Sequence, residues 1–198
     1  MNRELGVASF LVDYRGYGRS EGRPSEKGLY EDASAAFRWL CEVRGVEPSS
    51  IIIYGHSLGS AVAVDLALKE GSEAGGLVLE SPFTSARDMA RMIYGGIPVD
   101  LLLSLKLDNT GRIGEVTMPV LVIHGVEDST IPFTMGEEVF DAAPEPGMFL
   151  AVAGADHNDC YIVGGKEYWN AWKSLLGNTE AVIQEPGEDS VSEEQREK

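Results

Sequence analysis

Apolar and polar positions alternate between two periods along the chain, and the alternation predicts an α/β protein. Val7 to Asp13 (VASFLVD) is a short β-prone run that ends in the glycine-punctuated loop Arg15 to Pro24. From Ser25, an N-cap residue, Leu29, Ala33, Ala36 and Leu40 recur at helical spacing with Glu26 in the first turn. That spacing predicts a helix from about Ser25 to Val43. Ile51 to Tyr54 is a continuous apolar run, as a strand covered on both faces requires, and it passes through Gly55-His56-Ser57-Leu58-Gly59 into a helix, Ala61 to Lys69, that is apolar nearly all round and stops at Gly71. Further strands are expected at Gly76 to Glu80, Pro119 to Ile123 and Met148 to Val152, and a last helix carries Trp169, Trp172 and Leu176 on one face. Strands separated by helices imply one α/β unit with a mostly parallel sheet of about five strands and helices on both faces.

From Asn178 onward the pattern is lost. Glu180, Glu185, Glu188, Asp189, Glu193, Glu194 and Glu197 face only Arg196 and Lys198. Such a segment buries too little apolar area to order itself, so residues 178–198 are expected to form an acidic, solvated tail after a domain spanning 1–177. The whole chain has 198 residues and a net charge of −16, about −11 of which stays on the body once the tail's −5 is set aside. A surface so acidic has no footprint for nucleic acid and would be repelled by an anionic leaflet. Its apolar runs fall well short of the roughly 18 residues a membrane helix needs. Two cysteines, Cys41 and Cys160, are too few and too distant for a disulfide framework or a metal knuckle, and the chain opens without a signal-peptide pattern, so a cytoplasmic setting with reduced thiols is expected.

Candidate chemistry centres on Gly55-His56-Ser57-Leu58-Gly59, a G-x-S-x-G run set directly between a strand and a buried helix. There the serine sits on a sharp, strained turn, its hydroxyl is raised above the sheet, and tiny residues two before and two after it relieve crowding. The Leu58 N–H, at the helix start, faces the place where a tetrahedral oxyanion would form. A serine hydroxyl needs a base to take its proton and a third group to orient that base. Of three histidines, His56 should project away from its neighbour Ser57, and His124 lies within a strand core as a structural or supporting residue. His157 stands in a loop after the last strand, where parallel sheets place their chemistry. Asp128, five residues past Ile123, is the favoured acid; Glu127 and Glu80 are the competitors. Gly16 to Gly22 misses the dinucleotide spacing by one residue, so no cofactor is expected, and Asp13 with Arg15 reads as a structural pair.

Taken together, Asp13 to Gly22, Gly55 to Ser60, Glu80 to Ser85, His124-Gly125 with Asp128, and Gly154 to Asp159 with His157 resemble the α/β-hydrolase superfamily. The chain is most similar to its lidless group, which includes bacterial hydrolases and the depalmitoylating protein thioesterases of animal cells. The resemblance covers Leu5 to about Leu176 and implies an ester or thioester hydrolase with Ser57, Asp128 and His157 as triad, acting on a small acyl ester or thioester or on an acylated protein, without metal or cofactor.

The family pattern also begins earlier. In those proteins the strand order is 1-2-4-3-5-6-7-8, and a His-Gly loop upstream of the Asp-Tyr-Arg-Gly-Tyr-Gly segment donates a second oxyanion N–H. Val7 to Asp13 corresponds to the fourth strand, so the resemblance implies a truncated fold lacking its first three strands, with Asn2 to Leu5 as the end of the first helix. Val7 to Val12 must then pair directly with Ile51 to Tyr54, leave an open edge that invites self-association, or borrow a neighbour's strand. Loss of one oxyanion donor costs about 3 to 4 kcal/mol of transition-state stabilisation. Two alternatives therefore stand beside the enzyme: a non-catalytic binding or scaffold protein, and an inactive fragment of a longer hydrolase whose N-terminal part leaves room for a membrane anchor. The 37 residues from Pro82 to Met118 leave room for one or two helices but no large lid, which implies an open site.

Overall fold

The computed structural model describes residues 2–95, 105–144 and 146–180. Its centre is a four-stranded sheet in the order β1-β2-β3-β4, formed by Ile52–His56, Gly76–Glu80, Val120–Gly125 and Gly147–Val152, with every neighbouring pair parallel. In chain order the helices are α1 (Asn2–Leu5), α2 (Glu26–Arg38, continued by a wider turn through Trp39–Val43), α3 (Leu58–Lys69), α4 (Ala86–Ile93), α5 (Thr110–Ile113), α6 (Phe133–Asp141), α7 (Cys160–Val163) and α8 (Gly165–Glu180). A short 3-10 turn, Pro48–Ser50, precedes β1.

The period-2 geometry of the strands explains the two-faced core. Leu77, Leu79, Val120 and Val122 point to one face and pack with Ala63, Val64 and Ala67 of α3, Ile113 of α5 and Val139 of α6. Val78, Leu121 and Ile123 point to the other, onto Tyr168, Trp172 and Leu175 of α8. Both central strands are buried along their whole length, which is why they read as unbroken apolar runs. Ser25 caps α2 as its residue type requires, accepting the Gly28 N–H at 3.1 Å. On α8 the buried line runs through Tyr168, Trp172 and Leu175, with Trp169 packed at its margin.

One expected strand is not there. Val7 to Asp13 belongs to no strand, so the sheet has four strands rather than about five, and β2 is the one strand paired with β1 among the described residues. A β-prone run becomes a strand only where a neighbour accepts its backbone hydrogen bonds, and among the described residues no strand pairs with this one. Instead Phe10 stacks on Trp39 at 5.4 Å, and Leu11 is 87% exposed. Phe10 to Asp13, Ala35, Ala36 and Trp39 line a shared groove of about 520 Å³. The loop that follows is held by Arg15, whose partners are Asp32 and Glu31 rather than the expected Asp13.

Helix α8 runs three residues past the expected domain boundary at 177, to Glu180. The acidic tail from 181 on, and the central part of the Pro82 to Met118 connection, lie outside the described residues. Among the described residues no helix is long and apolar enough to cross a membrane.

Candidate active site

Three loops at the carboxyl ends of the parallel strands meet above the sheet. The first is the turn from β1 into α3. Ser57 adopts φ 52° and ψ −121°, a left-handed conformation that an L-residue occupies at a cost of about 1–3 kcal/mol. Its own N–H bonds the Glu80 carbonyl at 2.9 Å, tying the turn to the end of β2. The expected crowding is real at Gly55, where a Cβ would lie 2.7 Å from Ala63 Cβ and closer still to the Gly59 carbonyl. Gly59 departs from expectation: a Cβ there meets nothing within 4 Å. The tight approach is made by the side of Gly55 against the backbone of Gly59, so the steric demand falls on one glycine of the two.

The second loop follows β3 and carries Asp128, the third follows β4 and carries His157. Asp156 joins them: its Oδ1 accepts the Ser129 N–H at 2.8 Å and the His157 N–H at 2.7 Å, a clasp that position in sequence does not reveal. The result is a continuous line of hydrogen bonds. His157 Nδ1 lies 2.8 Å from Asp128 Oδ2, and His157 Nε2 lies 3.0 Å from Ser57 Oγ. The structure thus brings Ser57, Asp128 and His157 together, with Leu58 heading α3 beside them and 45% exposed. As the first residue of the helix, Leu58 has an N–H that no intrahelical carbonyl can accept.

The protons in this line can be assigned from the acceptors. Asp128 Oδ1 takes the backbone N–H groups of Thr130 at 2.9 Å and Ile131 at 2.8 Å. Burial works against the charge of Asp128, yet the Ile131 N–H, His157 and the Thr130 N–H outweigh it and hold the carboxyl below its ordinary range. A charged Asp128 requires the proton on His157 Nδ1, which leaves the Nε2 lone pair for the Ser57 hydroxyl. His124 reaches the same carboxylate: its Nε2 lies 3.3 Å from Asp128 Oδ2 and 3.1 Å from the Ile131 carbonyl. Because a carbonyl only accepts, His124 Nε2 carries a proton. Burial lowers its pKa, and its Nδ1 has no partner among the described residues, so the ring is neutral.

Glu80, the competing acid, is otherwise engaged. Its Oε2 accepts the Tyr54 hydroxyl at 2.9 Å and the Tyr168 hydroxyl at 2.8 Å, in a buried pocket under the sheet end. Burial and the Glu80 charge push both phenols far above their ordinary value, so they stay donors. Cys160, beside this pocket, is pushed up to about 12 by burial, then by Glu80, and is a buried neutral thiol. His56 does point away from Ser57, but usefully: its Nε2 donates to the His157 carbonyl at 3.0 Å and its ring lies 4.9 Å from that of His157. His124 takes the supporting place expected of it, though its partner Asp128 was not foreseen; sequence reading missed the His56 prop and the two tyrosines, for which the alternation along β1, setting Tyr54 and His56 on one face, was the available signal. Among the described residues no group of three or more His, Cys, Asp and Glu side chains is arranged to hold a metal ion.

Comparison with known proteins agrees with the fold. The chain is 42% identical over 180 residues to the uncharacterized protein Rv2307c of Mycobacterium tuberculosis, covering 91% of this chain and 63% of that protein. It is 38% identical over 161 residues to human alpha/beta hydrolase domain-containing protein 17B, covering 78% of this chain and 52% of the relative. The chain therefore spans between half and two thirds of these relatives. Among solved structures, the esterase Pf2001 of Pyrococcus furiosus superposes with a TM-score of 0.66 at 19% identity, over 83% of this chain and 68% of that one. An alpha-beta serine hydrolase homologue from Coxiella burnetii gives 0.54 at 19% identity, over 86% and 66%. Residues 3–109 match the model of the Hydrolase_4 family, serine aminopeptidase S33, and the chain belongs to that family of α/β-hydrolases.

Proposed function

We propose that the protein hydrolyses ester or thioester bonds through an acyl-enzyme on Ser57. The observation that carries this reading is the unbroken hydrogen-bonded line from Ser57 Oγ through His157 to Asp128. As Oγ attacks the acyl carbon, its proton passes to His157 Nε2, and the imidazolium that forms is stabilised by the charged, fully bonded Asp128. The carbonyl oxygen gains charge in front of the Leu58 N–H at the positive end of α3. His157 then protonates the departing alkoxide or thiolate, leaving acyl-Ser57. Water attacks in the second half, with His157 again as base, and free acid and Ser57 are regenerated.

Esters and thioesters are preferred over peptides because an alkoxide or thiolate is a far weaker base than an amide nitrogen and leaves more readily, whereas amine expulsion depends wholly on the proton that His157 returns. The esterase naming of Pf2001 supports the same class. The test is steady-state and burst kinetics with p-nitrophenyl acetate, an acetyl thioester and an aminoacyl-p-nitroanilide. A burst of p-nitrophenol equal to the enzyme concentration, absent in Ser57→Ala, is expected. Turnover of the anilide alone would replace this reading with a peptidase.

A further inference from the structure

Behind the nucleophile turn lies a buried polar pair that the chemistry itself does not touch. Asn109, fully buried, stands at the N-cap of α5, yet its side chain makes no capping bond to that helix. Its Nδ2 donates instead to the Phe83 carbonyl at 2.8 Å and to Ser60 Oγ at 2.8 Å, across 49 positions of sequence. Its Oδ1 has no partner among the described residues. An asparagine that forgoes its cap and leaves a buried oxygen unpaired is being held in place for what its nitrogen does.

The direction of the bonds follows from the acceptors. A carbonyl only accepts, so the atom facing Phe83 is the amide nitrogen, and the second amide hydrogen goes to Ser60. Ser60 Oγ therefore accepts from Asn109 and has its own proton free to donate. It donates to the Ser57 carbonyl at 2.6 Å, the same oxygen that accepts the Ser60 N–H at 2.9 Å.

The Ser57 carbonyl and the Leu58 N–H belong to one planar trans peptide, in which C=O and N–H point in opposite directions. Two donors pinning the carbonyl thereby fix the direction of the N–H. We infer that Asn109 and Ser60 are positioning residues that aim the Leu58 N–H at the developing oxyanion, so that the oxyanion donor is set from inside the core rather than by the substrate. This rests on the acyl-enzyme reading above. The strained backbone at Ser57 makes such a clamp necessary, because a turn held at φ 52° relaxes when its carbonyl is released.

The experiment compares wild type, Ser60→Ala, Asn109→Asp and the double variant by kcat and KM for p-nitrophenyl acetate and by affinity for a trifluoromethyl ketone. Asn109→Asp offers a carboxylate that takes the Ser60 proton away from the Ser57 carbonyl. Each single variant is expected to lose tenfold or more in kcat and in ketone affinity with KM within twofold, and the double variant to be no worse than Ser60→Ala, because Asn109 acts through Ser60. Ser60→Ala is the smaller change and keeps the test valid where Asn109→Asp fails to fold. Unchanged kcat in Ser60→Ala, a loss confined to KM, or additive losses in the double variant would overturn the inference. Failure of the underlying reading looks different: wild type itself would then show no turnover and no ketone binding.

Discussion

Asp128 and His157 are 29 positions apart in the chain, yet their side chains meet at 2.8 Å, while Glu80, which sequence position also allowed as the acid, is bonded to two tyrosines on the far side of the strand end. The roles of the two carboxylates should therefore separate by mutation. Asp128→Asn is expected to lower kcat for p-nitrophenyl acetate by about 10³ to 10⁴, since the amide favours the wrong histidine tautomer. Glu80→Ala should leave kcat within about tenfold and instead reduce stability by about 1–3 kcal/mol for a phenol left without its acceptor. Kinetics paired with urea unfolding read both effects, and the opposite pattern would move the acid to Glu80.

The two glycines of the elbow make a second contrast. Gly55→Ala forces a Cβ against Ala63 and the Gly59 backbone, and overpacking of this kind costs about 1–3 kcal/mol or more. Gly59→Ala adds a methyl in open space within α3, where alanine is favoured over glycine by as much as about 1 kcal/mol. Thermal unfolding should show a lowered midpoint for the first and an equal or raised one for the second.

His124 supplies a pH dependence. Its folded pKa lies below the ordinary 6.5 because it is buried, so the unfolded chain binds a proton that the folded protein refuses. Stability then rises with pH through the window between the lowered value and 6.5, and falls as pH drops below 6.5. Asp128 acts in a separate window: with its folded value under the ordinary 3.8, its contribution is full above that and is lost only as pH falls through the folded value. Unfolding free energies measured from pH 7.5 to 5 should slope in wild type and flatten in His124→Gln, whose amide offers one N–H to the Ile131 carbonyl but does not titrate.

Much of this architecture is legible in the chain because it is written in local pattern. The parallel strands β1 to β4 are largely continuous apolar runs, Ser25 announces α2, and G-x-S-x-G between a strand and a buried helix marks the sharp turn at Ser57. What the sequence conceals is pairing between distant parts. Val7 to Asp13 has the composition of a strand, but a strand exists only with a neighbour, and Phe10 finds Trp39 instead. Arg15 chooses Asp32 across 17 positions over the adjacent Asp13. Asn109, an ordinary turn residue in sequence, bonds Ser60 beside the Ser57 turn because α5 and α3 lie against each other. Glycine spacing suggested equal roles for Gly55 and Gly59, and only the direction of each Cα–H in the fold distinguishes them.

The central claim, that Ser57 is a nucleophile activated by His157, is tested most directly by intact-mass measurement after exposure to a fluorophosphonate. The account predicts one phosphonyl adduct per folded chain, mapping to Ser57, lost in Ser57→Ala and in heat-unfolded protein, and slowed at least 10²-fold in His157→Ala, given that a positioned general base contributes about 10² to 10⁴. Folded wild-type protein that remains unmodified, or labelling that persists in Ser57→Ala, would contradict it.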